Sequence, residues 1–267
     1  GIYVYDETGK KFIEGMSGLW CTSLGFSEKE IIDTITDQLK KLPFYHSFAG
    51  KTVNPAIDLA EMLIKSAPPA GRNSQMSKIQ FAASGSEAND TAIKIAWYYH
   101  AAKGTPEKRK IISRKRGYHG VTVAAASMTA LPYAQDGFGL PLDFVKHTIT
   151  PDYYNGALEG ESEADFVARC AAELEALILT EGPETVGALF AEPVMGAGGV
   201  IIPPAGYFAV IREVLHKYDV LLVADEVICG FGRTGNMWGS QTMDVQPDML
   251  TCAKALSSAY LPISAVM

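Results

Sequence analysis

The chain has 267 residues, 48% hydrophobic and 20% charged, the balance of a folded globular protein with room for one large α/β domain or two smaller ones. A formal net charge of −7, from 23 basic and 30 acidic residues, leaves no global positive field to hold a nucleic acid or an anionic membrane. No apolar run reaches the roughly 18 residues of a membrane span, no basic region followed by an apolar stretch marks an export signal, and Cys21, Cys170, Cys229 and Cys252 lack disulfide or zinc-ligand spacing, so a reducing cytoplasm is the expected compartment.

Ile2 to Ile13 alternates around Asp6-Glu7-Thr8-Gly9 and predicts a peripheral hairpin. From Ser27 the pattern turns helical, with Ile31, Ile32, Ile35 and Leu39 on one face, and a second helix runs from about Pro55 to Lys65 before a break at Pro68 to Gly71. After the break, short apolar or β-branched runs alternate with longer helical ones. The strands are Lys78 to Ala82, Lys110 to Ser113, Val186 to Glu192, Val220 to Ala224 and Ile263 to Val266; the helices are Ser86 to Ala102, Phe166 to Leu179 and Tyr207 to Tyr218. This alternation predicts an α/β fold, a mostly parallel sheet flanked by helices, with residues 1–50 as an N-terminal segment and 51–267 as the main domain. The basic stretch from Lys108 to Arg116 encloses Ile111 and Ile112 and reads as a strand with solvated charged flanks.

Ligands of such sheets sit at the carboxyl ends of the strands, and the residues with chemical potential fall there. Lys254 lies in an apolar segment, where lost hydration lowers an amine's pKa and frees it for a Schiff base with a carbonyl. Asp225 comes at the end of the strand Val220 to Ala224, where a carboxylate suits a pyridinium nitrogen. Ser84-Gly85-Ser86-Glu87-Ala88-Asn89 opens a helix directly after a strand, either as a phosphate cradle or as an ordinary serine cap. Gly117-Tyr118-His119-Gly120 places Tyr118 for stacking on a flat cofactor; taken singly, Tyr118 reads as a packed loop aromatic and His119 as a surface imidazole. Glu192 closes its strand, facing the pocket or capping a neighbouring loop. Gly230 to Gly235 matches GxGxxG, but no good helix follows and no strand with a ribose-binding acid comes after, so a nicotinamide site is not expected. The aromatic-rich runs Gly18-Leu19-Trp20-Cys21 and Pro43 to Phe48 line a substrate pocket or pack as core or interface.

The ordered set of these motifs, from Tyr3-Val4-Tyr5-Asp6-Glu7-Thr8-Gly9-Lys10 to Ala253-Lys254-Ala255-Leu256, resembles the class III (ω-) aminotransferases of the fold-type I pyridoxal phosphate enzymes over almost the whole chain. The resemblance implies that Lys254 forms the Schiff base and shuttles the proton and that Asp225 pairs with the pyridine nitrogen. It further implies that Gly85 and Ser86 bind the phosphate, Tyr118 and Val227 flank the ring, and Glu192 supports the pocket. Ile228, where many amino-acid-specific members carry Gln, and Leu19-Trp20 at the substrate mouth point to the branch that moves an amino group from an amine or ω-amino acid to pyruvate. Within the same fold the alternative is a mutase, decarboxylase or lyase; outside it, a non-catalytic relic. Family members are homodimers that run well beyond the lysine, so this chain reads as a truncated large domain with part of the N-terminal small domain. Ala259 stands where Gly is usual.

Overall fold

The computed structural model describes residues 1–72 and 75–267. In chain order these form β1 (Tyr3–Tyr5), β2 (Lys11–Ile13), a short turn α1 (Ser17–Trp20), α2 (Lys29–Lys41), α3 (Asn54–Ser66), β3 (Gln80–Ala82), α4 (Gly85–Ala102) and β4 (Lys110–Arg114). There follow α5 (Val123–Met128), α6 (Pro132–Gln135), β5 (Val145–Thr148), α7 (Tyr153–Gly156), α8 (Glu163–Glu181), β6 (Val186–Ala191), α9 (Tyr207–Lys217) and β7 (Leu221–Asp225). Last come α10 (Gly239–Thr242), β8 (Met249–Cys252), a 3-10 turn over Lys254–Leu256, and β9 (Ser264–Val266).

The hairpin forms as its alternation requires. Tyr3 lies opposite Ile13, and Asp6 Oδ1 closes the turn by accepting from Thr8 N, Thr8 Oγ1 and Lys10 N. All six of its strand residues are exposed, and α2 buries none of its residues.

The main sheet has the order β3-β9-β8-β7-β6-β4-β5. Strands β5, β4, β6, β7 and β8 pair in parallel, while β9 runs antiparallel between β8 and β3. Successive side chains of a strand point to opposite faces, and the two cores divide accordingly. Ile112, Leu189, Ala191 and Leu222 pack with Phe166, Leu174 and Ile178 of α8 and Phe208, Ile211 and Leu215 of α9. Ile111, Ala188, Phe190, Leu221 and Val223 pack with Ala88, Ala92, Ile93 and Ala96 of α4. The three alanines keep that helix face flat, so α4 lies close on the sheet and its first turn is held over the strand ends. Among the described residues no helix is long and apolar enough to cross a membrane.

Two local expectations change. The basic stretch is not a pair of solvated flanks: Lys108 is buried, its Nζ donating to the carbonyls of Pro183, Val186 and Tyr218 at 2.8–2.9 Å, and Arg114 is fully buried as the last residue of β4. A long stem lets a charged head reach carbonyls where several segments end; Arg109, Lys115 and Arg116 keep the solvated role. Strands β5 and β8 add to the expected set. β5 has the sequence Val-Lys-His-Thr, an edge strand with a polar middle, and β8 is only four residues long, too short for a periodic signal.

Candidate active site

The strand ends gather the site. Ser84 and Gly85 follow β3, Gly117 to Gly120 follow β4, Glu192 follows β6, Asp225 ends β7, and Lys254 follows β8. Lys254, Asp225, Gly85, Ser86, Tyr118, Glu192 and Val227 all line one cavity of about 360 Å³.

Lys254 begins the 3-10 turn with φ +45°, a left-handed conformation that costs a side chain of L configuration about 1–2 kcal/mol. Burial lowers the pKa of its amine, against the opposing charges of Asp225, Cys21 and Glu192. A half-buried amine of lowered pKa beside carboxylates is suited to act as a nucleophile and to carry a proton. Asp225 is buried and met by donors on both oxygens: Oδ1 accepts from Val227 N at 3.1 Å, and Oδ2 accepts from Asn89 Nδ2 and from His119 Nδ1, each at 2.8 Å. Against a carboxylate oxygen the imidazole Nδ1 must carry the hydrogen. His119 is thus not a surface imidazole but 2% exposed, with its backbone N donating to Thr129 Oγ1 and its ring edge-on to Phe190. The turn that holds it folds back on Arg114, so the ring lands in the interior.

The helix opening is built tightly. Ser84 Oγ caps α4 by accepting from Glu87 N, and Gly85 and Ser86 supply the first N–H groups, which a helix leaves without internal partners. A Cβ on Gly85 would stand 3.0 Å from Val227, and one on Gly120 would overlap Ser86 Oγ, so both glycines permit backbone approach around the cavity. Ser86 Oγ accepts from Val121 N at 3.0 Å, which leaves its hydroxyl hydrogen to donate elsewhere. Glu192 is buried, with Oε1 accepting from Tyr118 N and Oε2 from Gly196 N; burial raises its pKa. Tyr118 is half-buried, and burial raises the pKa of its hydroxyl.

Leu19 and Trp20 do not line the cavity of Lys254. Leu19 is exposed, and Trp20 lines an adjoining apolar cavity that shares Ile228 with the first; Cys21, the next residue, does face Lys254. Sequence pattern alone does not assign a role to Asn89 or Thr251. Asn89 lies on the Ala88–Ala92–Ala96 side of α4, and a fully buried amide on a sheet-facing stripe is the one signal that marks it.

A helix start with free N–H groups on the cavity wall, an anchored carboxylate and a half-buried lysine fit a phosphorylated pyridine aldehyde. The sheet and this arrangement define the large domain of a fold-type I pyridoxal phosphate enzyme. The chain belongs to the class-III aminotransferases: the family model Aminotransferase class-III matches residues 1–267. A relative from Solanum lycopersicum, gamma aminobutyrate transaminase 1, mitochondrial, is 52% identical and covers 100% of this chain and 51% of its own length. Vanillin aminotransferase of Capsicum annuum is 51% identical, covering 100% of this chain and 57% of its own. Among solved structures, the omega transaminase from Pseudomonas jessenii in complex with PMP superposes with a TM-score of 0.96 at 55% identity, covering 100% of this chain and 58% of that one. The chain spans about half the length of the curated relatives it matches. Class-III aminotransferases use pyridoxal phosphate.

Proposed function

We propose that the protein is a pyridoxal phosphate-dependent aminotransferase that moves an amino group from an amine or ω-amino acid to a keto acid, with pyruvate as acceptor, in two half-reactions of a ping-pong cycle. The observation that carries this reading is Lys254: a half-buried amine of lowered pKa on a left-handed backbone, lining one cavity with the anchored carboxylate of Asp225. Pyridoxal phosphate, when bound, supplies the electron sink that stabilises negative charge at the carbon bearing the amino group.

The chain's own residues have separable tasks in this reading. Gly85 and Ser86 bind the phosphate through the free N–H groups and positive end of α4. Asp225, held by donors on both oxygens, would pair with the ring nitrogen and favour its protonated form. Val227 and Tyr118 flank the ring, and Glu192 fixes the Tyr118 turn to the Gly196 segment. Lys254 would hold the cofactor through its amine and would carry the proton. Trp20, from the adjoining cavity, and Leu19 would contact the substrate as it enters. The donor assignment is supported by the apolar Ile228 in the cavity wall and by relatives named for gamma-aminobutyrate and vanillin.

As wider proposals, residues 1–50 act as an N-terminal segment on a large domain of 51–267, the intact protein works as a homodimer, and it acts in the cytoplasm. The four unpaired cysteines fit a reducing compartment, and cell fractionation decides between cytoplasm and the mitochondrion named for the Solanum relative. The test of function is an incubation of the intact protein with pyridoxal phosphate, a panel of amines and ω-amino acids, and pyruvate. One alanine formed per donor consumed supports the reading; donor loss as carbon dioxide or ammonia without alanine contradicts it.

A further inference from the structure

Strand register sets an unassigned pair of residues beside Asp225. In the parallel pairing of β7 and β8, Asp225 stands opposite Thr251, three residues before Lys254. Residues opposed in this way project to the same face, and above that face lie the first two turns of α4. There Asn89, 1% exposed, bridges the two strands. Its Nδ2 donates to Asp225 Oδ2 at 2.8 Å and to the His119 carbonyl at 2.7 Å, and its Oδ1 accepts from Thr251 Oγ1 at 2.9 Å. The network leaves the amide a single orientation, since a flip would set its oxygen against two acceptors and its NH2 against a hydroxyl whose hydrogen now points to it.

Thr251 is fully buried in the strand Met-Leu-Thr-Cys, every residue of which is buried. A hydroxyl in such a strand costs stability unless it is bonded, and its hydrogen goes to Asn89. Asp225 Oδ2 receives its second donor from His119, so Asn89 and His119 together fix the plane of the carboxylate, and Thr251 fixes Asn89.

We infer that Asn89 and Thr251 are positioning residues for the reaction: Thr251 anchors the Asn89 amide, and that amide orients Asp225 toward the cofactor ring. The inference rests on the reading of the cavity proposed above. Neither residue acts on substrate. Their effect passes through Asp225 to the affinity for the cofactor and to the proton held near Lys254.

The test uses the intact protein as wild type, Thr251→Val and Thr251→Ser. Valine keeps the shape of threonine and removes the hydroxyl; serine restores it. Two quantities are read besides activity: the dissociation constant of pyridoxal phosphate from the cofactor-free protein, and the pH midpoint of the cofactor's visible band. In Thr251→Val the dissociation constant rises about fivefold to tenfold, the change that one lost hydrogen bond with a buried acceptor left behind brings. The pH midpoint moves as well, and Thr251→Ser returns both toward wild type. Thr251→Val with wild-type affinity and wild-type midpoint overturns the inference, even where its melting temperature is lower, because the contact is then purely structural. A wild-type protein that takes up no cofactor on Lys254 overturns the underlying reading, and the inference with it.

Discussion

Glu192→Gln exchanges one oxygen of a buried carboxyl for an NH2 group and leaves the shape of the cavity wall almost unchanged. In the wild type both oxygens accept from backbone donors, Oε1 from Tyr118 N at 3.0 Å and Oε2 from Gly196 N at 2.8 Å. Glutamine can accept only one of these, and its amide hydrogens then face the other N–H. A lost bond to a charged acceptor is worth about 1.5–3 kcal/mol. Against this, the variant no longer holds a charge away from water, the cause of the raised Glu192 pKa. The raised pKa shows that burial outweighs the two bonds, so the variant gains about 1 kcal/mol at neutral pH, a rise in Tm of about 2–4 °C for a chain of this size.

The pH dependence carries the sign. The folded-state pKa of Glu192 lies above the ordinary glutamate value of about 4.3, so the folded wild type binds its proton more readily than the unfolded chain does. The linked stability is fully present below about pH 4.3 and is lost as pH rises through the raised folded value. The glutamine variant has no such proton, whereas the other buried carboxyls with raised pKa, Glu226 and Asp248, are present in both proteins and cancel in the difference. Urea unfolding of the pair at several pH values should therefore show an excess of stability in the variant at neutral pH that shrinks toward acid, as the protonated wild type regains its linked stability. A variant less stable than the wild type at neutral pH, or an excess that grows toward acid, refutes the reasoning.

Ala259 has φ +65° and lines the Lys254 cavity. Ala259→Gly relieves the left-handed strain at some cost in chain entropy, so a net gain of about 0.5–1 kcal/mol is expected, seen as a Tm raised by about 1–2 °C; a lower Tm contradicts the assignment. Burial pushes the thiols of Cys170 up to about 11 and Cys252 up to about 12, and Cys229 higher still, while Cys21 is half-exposed at the cavity. A thiol reagent near neutral pH should modify Cys21 first, and added pyridoxal phosphate should slow it; peptide mapping that finds a buried cysteine labelled first, or no protection, contradicts this arrangement.

The strand and helix alternation was legible because β6, β7 and their helices are long enough to show a period, and the strand-end rule then placed Asp225 and Glu192 at the cavity; Lys254 was marked by its apolar segment, since β8 before it was not expected. Ser84 to Asn89 was legible as a helix opening. What escaped is what depends on tertiary folding. His119 looks like a loop imidazole until the turn after β4 buries it against Asp225 and Phe190. Thr251 looks like one polar residue in a short apolar run until strand register sets it beside Asp225. Lys108 and Arg114 read as solvated charges because their partners are backbone carbonyls, which leave no mark in side-chain pattern. Leu19 and Trp20 lie close to the expected mouth, yet Cys21 is the residue of that run that faces the lysine.

The most direct test of the central claim is the visible absorption of the intact protein with pyridoxal phosphate, before and after borohydride, with mass mapping of the reduced peptide. The account predicts a band that borohydride abolishes and a single adduct on Lys254, absent from Lys254→Ala. No reducible band, or an adduct on another lysine with Lys254 unmodified, contradicts it.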